Sequence, residues 1–364
     1  MISPVNAFDI SWNVRRSIVS RLPLIFAALI LAFISPYNHM LFAEEKVHTI
    51  SFALVGDIML GTDYPDSQKN IPAFEGADLF RYSRDIISAA DIAVGNLEGS
   101  ITSSDSCRKA LKDSVIIAFR MPPNLAWCLA DAGFDVLTTA NNHANDFGKE
   151  GLRETESILD SLGIASTGRL GNVAVRQIAG TSIAVVGFSP NPGNHPLLDI
   201  DRATDIISRL SEQHTIVVVT FHGGGEGVDF LHLSEGPEMF LDLDRGDLRR
   251  FARAAVESGA DIVFGHGPHI PRALELYNGR IIAYSLGNFC TWFGINVREE
   301  RGLAPLLWVE VDRDGVLRGM KIISYEQQSL HYPRRDPERN AEKLMIRLSQ
   351  EDIGSFPFEF LTTE

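Results

Sequence analysis

The sequence predicts a mixed α/β fold in which helices cover β-sheets. Three observations carry that prediction. From Lys46 onward, short apolar runs alternate with amphipathic stretches. Two of the runs, 182–188 and 215–221, are rich in Val and Ile without polar alternation, as strands buried on both faces are. Late in the chain, Asn278-Gly279 and Asp314-Gly315 each separate two apolar runs, which is a hairpin signal.

Each element follows in order. Residues 49–55 (TISFALV) predict a strand ending at Gly56-Asp57. Residues 79–90 predict a helix, and 91–94 a strand ending at Gly95-Asn96. A helix over 122–132 stops at Gly133, and the strand 135–140 ends at Asn141-Asn142-His143. The helix 148–162 turns Leu152, Thr155, Leu159 and Leu162 inward, with Asp146 as its N-cap. In the second half, 247–258 reads as a helix with Leu248, Phe251, Ala252 and Ala255 on one face. Gly259 ends it and 261–264 is the next strand. The hairpins pair 274–277 with 281–285 and 306–311 with 316–324, and 337–348 is a terminal helix. Segment 224–244, rich in Gly and acid, is a long insertion of the kind that is functional or mobile in compact domains.

The domain organisation has three parts. Residues 1–45 form an N-terminal signal peptide or signal anchor. There, Arg15, Arg16 and Arg21 precede an apolar run over 22–34, and Ala43 supplies a small residue. The run is short for a membrane span, which needs ~20 apolar residues. The prediction is export to the periplasm or the outer face of the cytoplasmic membrane, with anchoring left open. Residues 46–330 form the main domain, and 331–364 a helical tail packed on it.

Composition narrows the function. The chain has 364 residues, 45% hydrophobic and 22% charged, with net charge -14. That acidity argues against nucleic acid as a partner, since no general positive field is available. An anionic substrate needs a local cationic centre. Three cysteines fit an exported protein without a disulfide framework. A Cys107–Cys128 pair and three free thiols both remain open.

The chemistry concentrates at strand ends. Five strands end in a Gly or Asn beside a side chain able to bind metal. They are Gly56-Asp57, Gly95-Asn96-Leu97-Glu98, Asn141-Asn142-His143, Phe221-His222-Gly223 and Gly265-His266-Gly267-Pro268-His269. Ligands bind beyond strand C-termini in open α/β sheets. This O/N donor set suits a divalent Zn, Mn or Fe. Asn96, Glu226 in the insertion and Arg272 are candidates for substrate contact. The chain carries no P-loop Lys-Ser/Thr after Gly223-Gly224-Gly225 and no G-x-S-x-G, which disfavours those nucleotide-binding and serine-hydrolase classes.

In this order the motifs resemble the poly-γ-glutamate capsule synthesis (CapA-type) family, related to calcineurin-like metallophosphoesterases. GDIML, GNLEGSIT, NNHANDFGKEGL, HGGGEG, GADIVFGHGPHI and IIAYSLGNF carry the resemblance, which spans about 50–327. It implies a four-layer αββα sandwich of two mixed sheets. It implies metal ligands at Asp57, Glu98, Asn142, His222, His266 and His269 for one or two ions. His143 is then the residue that contacts the substrate or protonates the leaving group. Two positions depart from the pattern: Met59 stands where a His is usual, and Asn96 where an Asp is usual. Glu98 is the replacement carboxylate. The implied activity is metal-dependent hydrolysis of poly-γ-glutamate or a phosphoester. A non-catalytic factor for assembly or export of an anionic polymer, and an envelope phosphatase on an unrelated substrate, are the alternatives.

Overall fold

The computed structural model describes residues 49–65, 70–109 and 118–362. The expected signal or anchor segment, 1–45, lies outside them. Two mixed sheets form the frame. The first runs Arg334–Arg335, Leu317–Glu326, Leu303–Val311, Ile50–Met59, Ile92–Leu97, Val136–Thr138, Ala165–Thr167, and Asn288–Thr291 also pairs with Ile50–Met59. The second runs Leu274–Tyr277, Arg280–Ala283, Ile262–His266, Ile216–His222, Thr181–Ser189, Ala174–Ile178.

Side-chain alternation along the strands sorts the layers. Phe52 and Leu54 of the first sheet meet Val185, Val218 and Phe264 of the second, and this apolar layer joins the two sheets. Ala53 and Val55 face the other way, towards Leu129 and Leu159 of the helices Trp127–Ala132 and Gly148–Ser161. Val217, Val219 and Phe221 face outward too, towards Ile207 and Phe251 of the helices Ile200–Gln213 and Leu248–Glu257. The result is helix, sheet, sheet, helix. Each fully buried Leu or Phe in these layers stabilises by about 1.5–3 kcal/mol.

Several elements differ from the sequence reading, each for a local reason. The helix expected over 79–90 is α-helical only at Arg84–Ile87. Before it, Leu79, Arg81 and Ser83 donate to carbonyls three residues back, so the backbone turns tightly instead. Helix Ile200–Gln213 was not expected. Its buried face is thin, Ala203 and Ile207, and its clearest sequence sign is Asp199, whose side chain accepts from Arg202 N at 3.1 Å. Asp146 does not cap Gly148–Ser161, because its carboxylate is used elsewhere. The terminal helix is Asn340–Leu348. Its Met345 packs in the layer between the sheets and Leu344 and Leu348 in the outer layer. All three cysteines are free.

One extension matters for the site. The first strand does not stop at Gly56-Asp57 but continues to Met59, with register shifts on both sides of Asp57. Asp57 N donates to Gly287 O at 2.9 Å. A Cβ on Gly56 would lie 2.0 Å from Gly287 O, so only glycine allows this approach.

Candidate metal centre

The site lies where the C-terminal ends of strands from both sheets meet. The first sheet delivers Asp57 on Ile50–Met59, Asn96 at the end of Ile92–Leu97, and Glu98 just beyond. The turn after Val136–Thr138 delivers Asn141, Asn142 and His143. The second sheet delivers His222 and His266, which are register partners on adjacent parallel strands, and His269 three residues on. Asp57, Glu98, His222 and His266 are fully buried.

Asp57 is the hub. Its Oδ1 accepts from Asn96 Nδ2 at 2.8 Å and lies 3.4 Å from His266 Nδ1. Its Oδ2 lies 3.0 Å from His269 Nδ1. His269 Nδ1 is also 3.1 Å from Asn288 Oδ1, so two acceptors face that nitrogen and it carries the proton. His269 Nε2 lies 3.8 Å from Glu98 Oε1. Ligand-type atoms of Asp57, Glu98 and His269 all lie within 4.8 Å of one another.

The electrostatics ask for a cation. Burial pushes the Asp57 carboxyl up, but the neighbouring imidazoles of His266 and His269, the latter within hydrogen-bond distance, outweigh it and hold it well below the usual carboxylate range. Glu98 goes the other way: burial and the neighbouring Asp57 charge drive it far up. His269 sits between them. Burial disfavours its charge, yet Glu98 and Asp57 raise it to about 10. Burial, then Arg245, press His222 well below its ordinary value, so it is a neutral imidazole.

A metal fits the donor set. Glu98 Oε1 and Oε2, Asn142 Oδ1, His222 Nε2 and His266 Nδ1 are buried and have no hydrogen-bond partner. Orphaned buried polar atoms are rare in folded proteins, and here they are ligand atoms from both sheets. His266 Nε2 is held by Thr220 Oγ1 at 3.1 Å, the outer contact that orients a ligating imidazole. His269 has φ 58, a left-handed backbone that costs energy outside glycine. Asn288 Nδ2 clamps its carbonyl at 3.1 Å.

His143 stands apart from this group. It is buried and stacks on Phe119 with ring centroids 4.2 Å apart. Its Nδ1 lies 2.8 Å from Asp146 Oδ2 and 2.8 Å from Lys109 Nζ. These contacts demand opposite tautomers. Nδ1–H donates to Asp146, whereas a bare Nδ1 accepts from Lys109. Burial lowers His143 despite Asp146, so the ring is neutral. Its peptide N–H donates to Asn141 Oδ1 at 3.0 Å, and Asn141 Nδ2 donates to Asn96 Oδ1 at 2.9 Å.

The remaining expected residues divide. Asn96 holds Asp57 and Asn141 within the site. Glu226 lines the pocket over His143 and His269 and is paired with Arg245 at 3.3 Å. Arg272 does not face that pocket. It is fully buried, donates to Glu238 at 2.9 and 3.2 Å and to the His232 carbonyl, and so ties down the insertion. Met59 is not among the donor side chains either: it packs in the outer core and its Sδ accepts from Gly61 N at 3.3 Å. Sequence reading missed Arg245, Lys109, Asp146 and the structural role of Asn141. Asn141 and Asp146 stand in the NNHANDFGKEGL motif, where only their roles went unread, whereas Lys109 and Arg245 lie outside the motifs quoted above.

Comparison with known proteins agrees with the motifs. The chain matches the bacterial capsule synthesis protein PGA_cap family over residues 51–291. It is similar to PGA biosynthesis protein CapA of Bacillus subtilis, 31% identical over 293 residues, 73% of this chain and 71% of that protein. It is 29% identical to capsule biosynthesis protein CapA of Bacillus anthracis, over 74% of this chain and 66% of that one. Among solved structures, a 5'-nucleotidase precursor from Thermus thermophilus aligns with TM-score 0.44 and 14% identity. It covers 84% of this chain and 59% of that chain, a likeness too low to assign a function. With its family match spanning most of the main domain, this chain belongs to the bacterial capsule synthesis protein family.

Proposed function

We propose that the chain is an exported, metal-dependent hydrolase that cleaves an acidic polyamide or a phosphoester in capsule assembly. One observation carries the reading: buried, unpartnered ligand atoms on Glu98, Asn142, His222 and His266, placed by strand ends from two sheets. Asp57, Glu98, Asn142, His222, His266 and His269 would hold the cation. A divalent ion held there would supply Lewis acidity, which makes water more acidic and polarises a substrate oxygen. Export rests on the sequence pattern over 15–43. The polyamide substrate rests on the names of the Bacillus relatives.

The chain's own groups do the rest. Burial keeps His143 neutral, and its Nδ1 contacts allow either tautomer. With Nδ1–H given to Asp146, Nε2 is free to take a proton. With Nδ1 accepting from Lys109, Nε2–H delivers one to a leaving group. Phe119 and the pocket walls hold the ring against the substrate side.

The test is metal analysis of purified protein after loading with Zn, Mn or Fe, with hydrolysis of poly-γ-glutamate and phosphodiesters measured in parallel. His222→Ala should lose both metal and activity. Absence of bound metal, together with unchanged activity in His222→Ala, would overturn the proposal.

A further inference from the structure

Two cavities meet at the loop 293–296. One, of about 270 Å³, is the site pocket, lined by His143, Glu226, His269 and Arg301. The other, of about 850 Å³, is lined by Arg298, Glu299, Glu326 and Gln327. Gly294, Ile295 and Asn296 line both, so the cavities share a rim. The proposed hydrolysis uses only the first.

Three polar groups along this path lack partners. Gln327 is 4% exposed. Its Oε1 accepts from Thr291 N at 3.0 Å and Thr291 Oγ1 at 3.2 Å, while its Nε2 is buried with no acceptor. A buried donor without an acceptor is costly and marks a place for one. Arg298 precedes the turn Glu299–Gly302 and Arg301 lies within it, and neither guanidinium has a hydrogen bond or ion pair among the described residues. Arg301 belongs to the site pocket and Arg298 to the larger cavity. Gly227 makes room for Arg301, since a Cβ there would lie 2.3 Å from its Nη2.

We propose that the larger cavity is a second, chain-holding subsite, which grips an acidic polyamide segment while the neighbouring unit lies in the metal pocket under Arg301. The inference rests on the hydrolase reading above. A polyamide fits because its repeat offers a carbonyl, an N–H and a carboxylate. Gln327 Nε2 donates to the carbonyl, Arg298 pairs with the carboxylate, and Glu299 and Glu326 accept N–H. A polyanion without N–H groups, such as polyphosphate, meets Glu299 and Glu326 only as like charges.

The test is calorimetric titration of the full-length, Mn-loaded protein carrying His143→Ala, so that ligand is not consumed. The probes are a γ-glutamyl dimer, a γ-glutamyl decamer and polyphosphate of matched length. The decamer should bind about tenfold tighter than the dimer through its second contact. Arg298→Ala should weaken decamer binding about fivefold and leave the dimer unchanged. Arg298 is exposed, so its truncation leaves the core intact. Gln327→Glu keeps the acceptor for Thr291 and should act like Arg298→Ala. Equal affinity for dimer and decamer, or equal loss of both in Arg298→Ala, overturns the second subsite and leaves the hydrolase reading standing. Polyphosphate binding as tight as the decamer overturns the polyamide assignment. Binding of neither γ-glutamyl probe, with Mn retained, overturns the subsite and the polyamide substrate together.

Discussion

The two sides of the metal centre are held in place by different means. On the second sheet, His222 and His266 are register partners, so the backbone ladder itself sets their spacing. Their ligand atoms, His222 Nε2 and His266 Nδ1, are left open. On the first sheet, Asp57 and Asn96 are register partners as well, but their side chains are tied to each other. A chain of amides runs from Asp57 through Asn96 and Asn141 to the His143 peptide N–H. The difference revises the meaning of Asn96. It is not only a missing carboxylate; it donates to Asp57 where an Asp would repel it. Glu98 is left as the acid without a hydrogen-bond partner.

The comparison breaks most visibly at its hub. Asp57→Ala should reduce bound metal from stoichiometric to background and lower affinity by at least about a hundredfold, a loss beyond the usual outer-contact effect. Metal content by mass spectrometry and competitive chelation check it. If metal stays bound, the carboxylate side is not part of the centre. Next comes the contrast within one turn. His143→Ala should lower turnover by about 10²–10⁴-fold with metal retained, whereas Asn142→Ala should lower metal affinity first. Equal responses in the two variants would show that the residues share one role.

Smaller effects sharpen the same contrast. Glu98→Gln removes one of two neighbouring buried carboxylates. It should raise the stability of metal-free protein by about 1–3 kcal/mol while weakening metal binding. Asn96→Asp should do the reverse, lowering metal-free stability by a similar amount and increasing metal uptake. Urea unfolding with and without chelator distinguishes the two outcomes.

The smallest effect serves as a control away from the centre. Burial raises Asp261 from 3.8 to about 6, with the Val217 N–H and Arg280 offsetting only part of it. The folded value exceeds the unfolded one, so the folded state binds this proton more tightly. The stability from Asp261 is therefore full below pH ~4 and lost as pH rises through about 6. Relative to Asp261→Asn, the unmodified protein should lose no more than ~2 kcal/mol across that window. Parallel denaturant curves at several pH values measure the difference. A flat difference would show that Asp261 does not titrate there.

Much of this was legible in the chain because strand ends are local features. Val-rich runs such as 215–221 announce buried strands, and the residues after them are the ones that reach the crevice. Helix Ile200–Gln213 was not legible because only Ala203 and Ile207 are buried on its inner face, too few to mark a periodic stripe. Arg272 was misread because position in sequence places it after the GHGPH motif, whereas burial against Glu238 turns it into the insertion. Asp146 looked like a helix cap and instead holds His143, Phe119 N and Lys109.

By itself the sequence determined the alternation of strands and helices, the strand-end donors and the family. These depend on residue order within a few turns of chain. Only the tertiary structure decided which donors face one another. Asp57 and His269 lie 212 positions apart and meet at 3.0 Å because two sheets pack face to face. It also decided that Asn96 secures Asp57, that Met59 turns into the outer core, and that Arg245 and Arg301 border the site. Those outcomes follow from burial and hydrogen-bond partners supplied by distant segments, which no local pattern encodes.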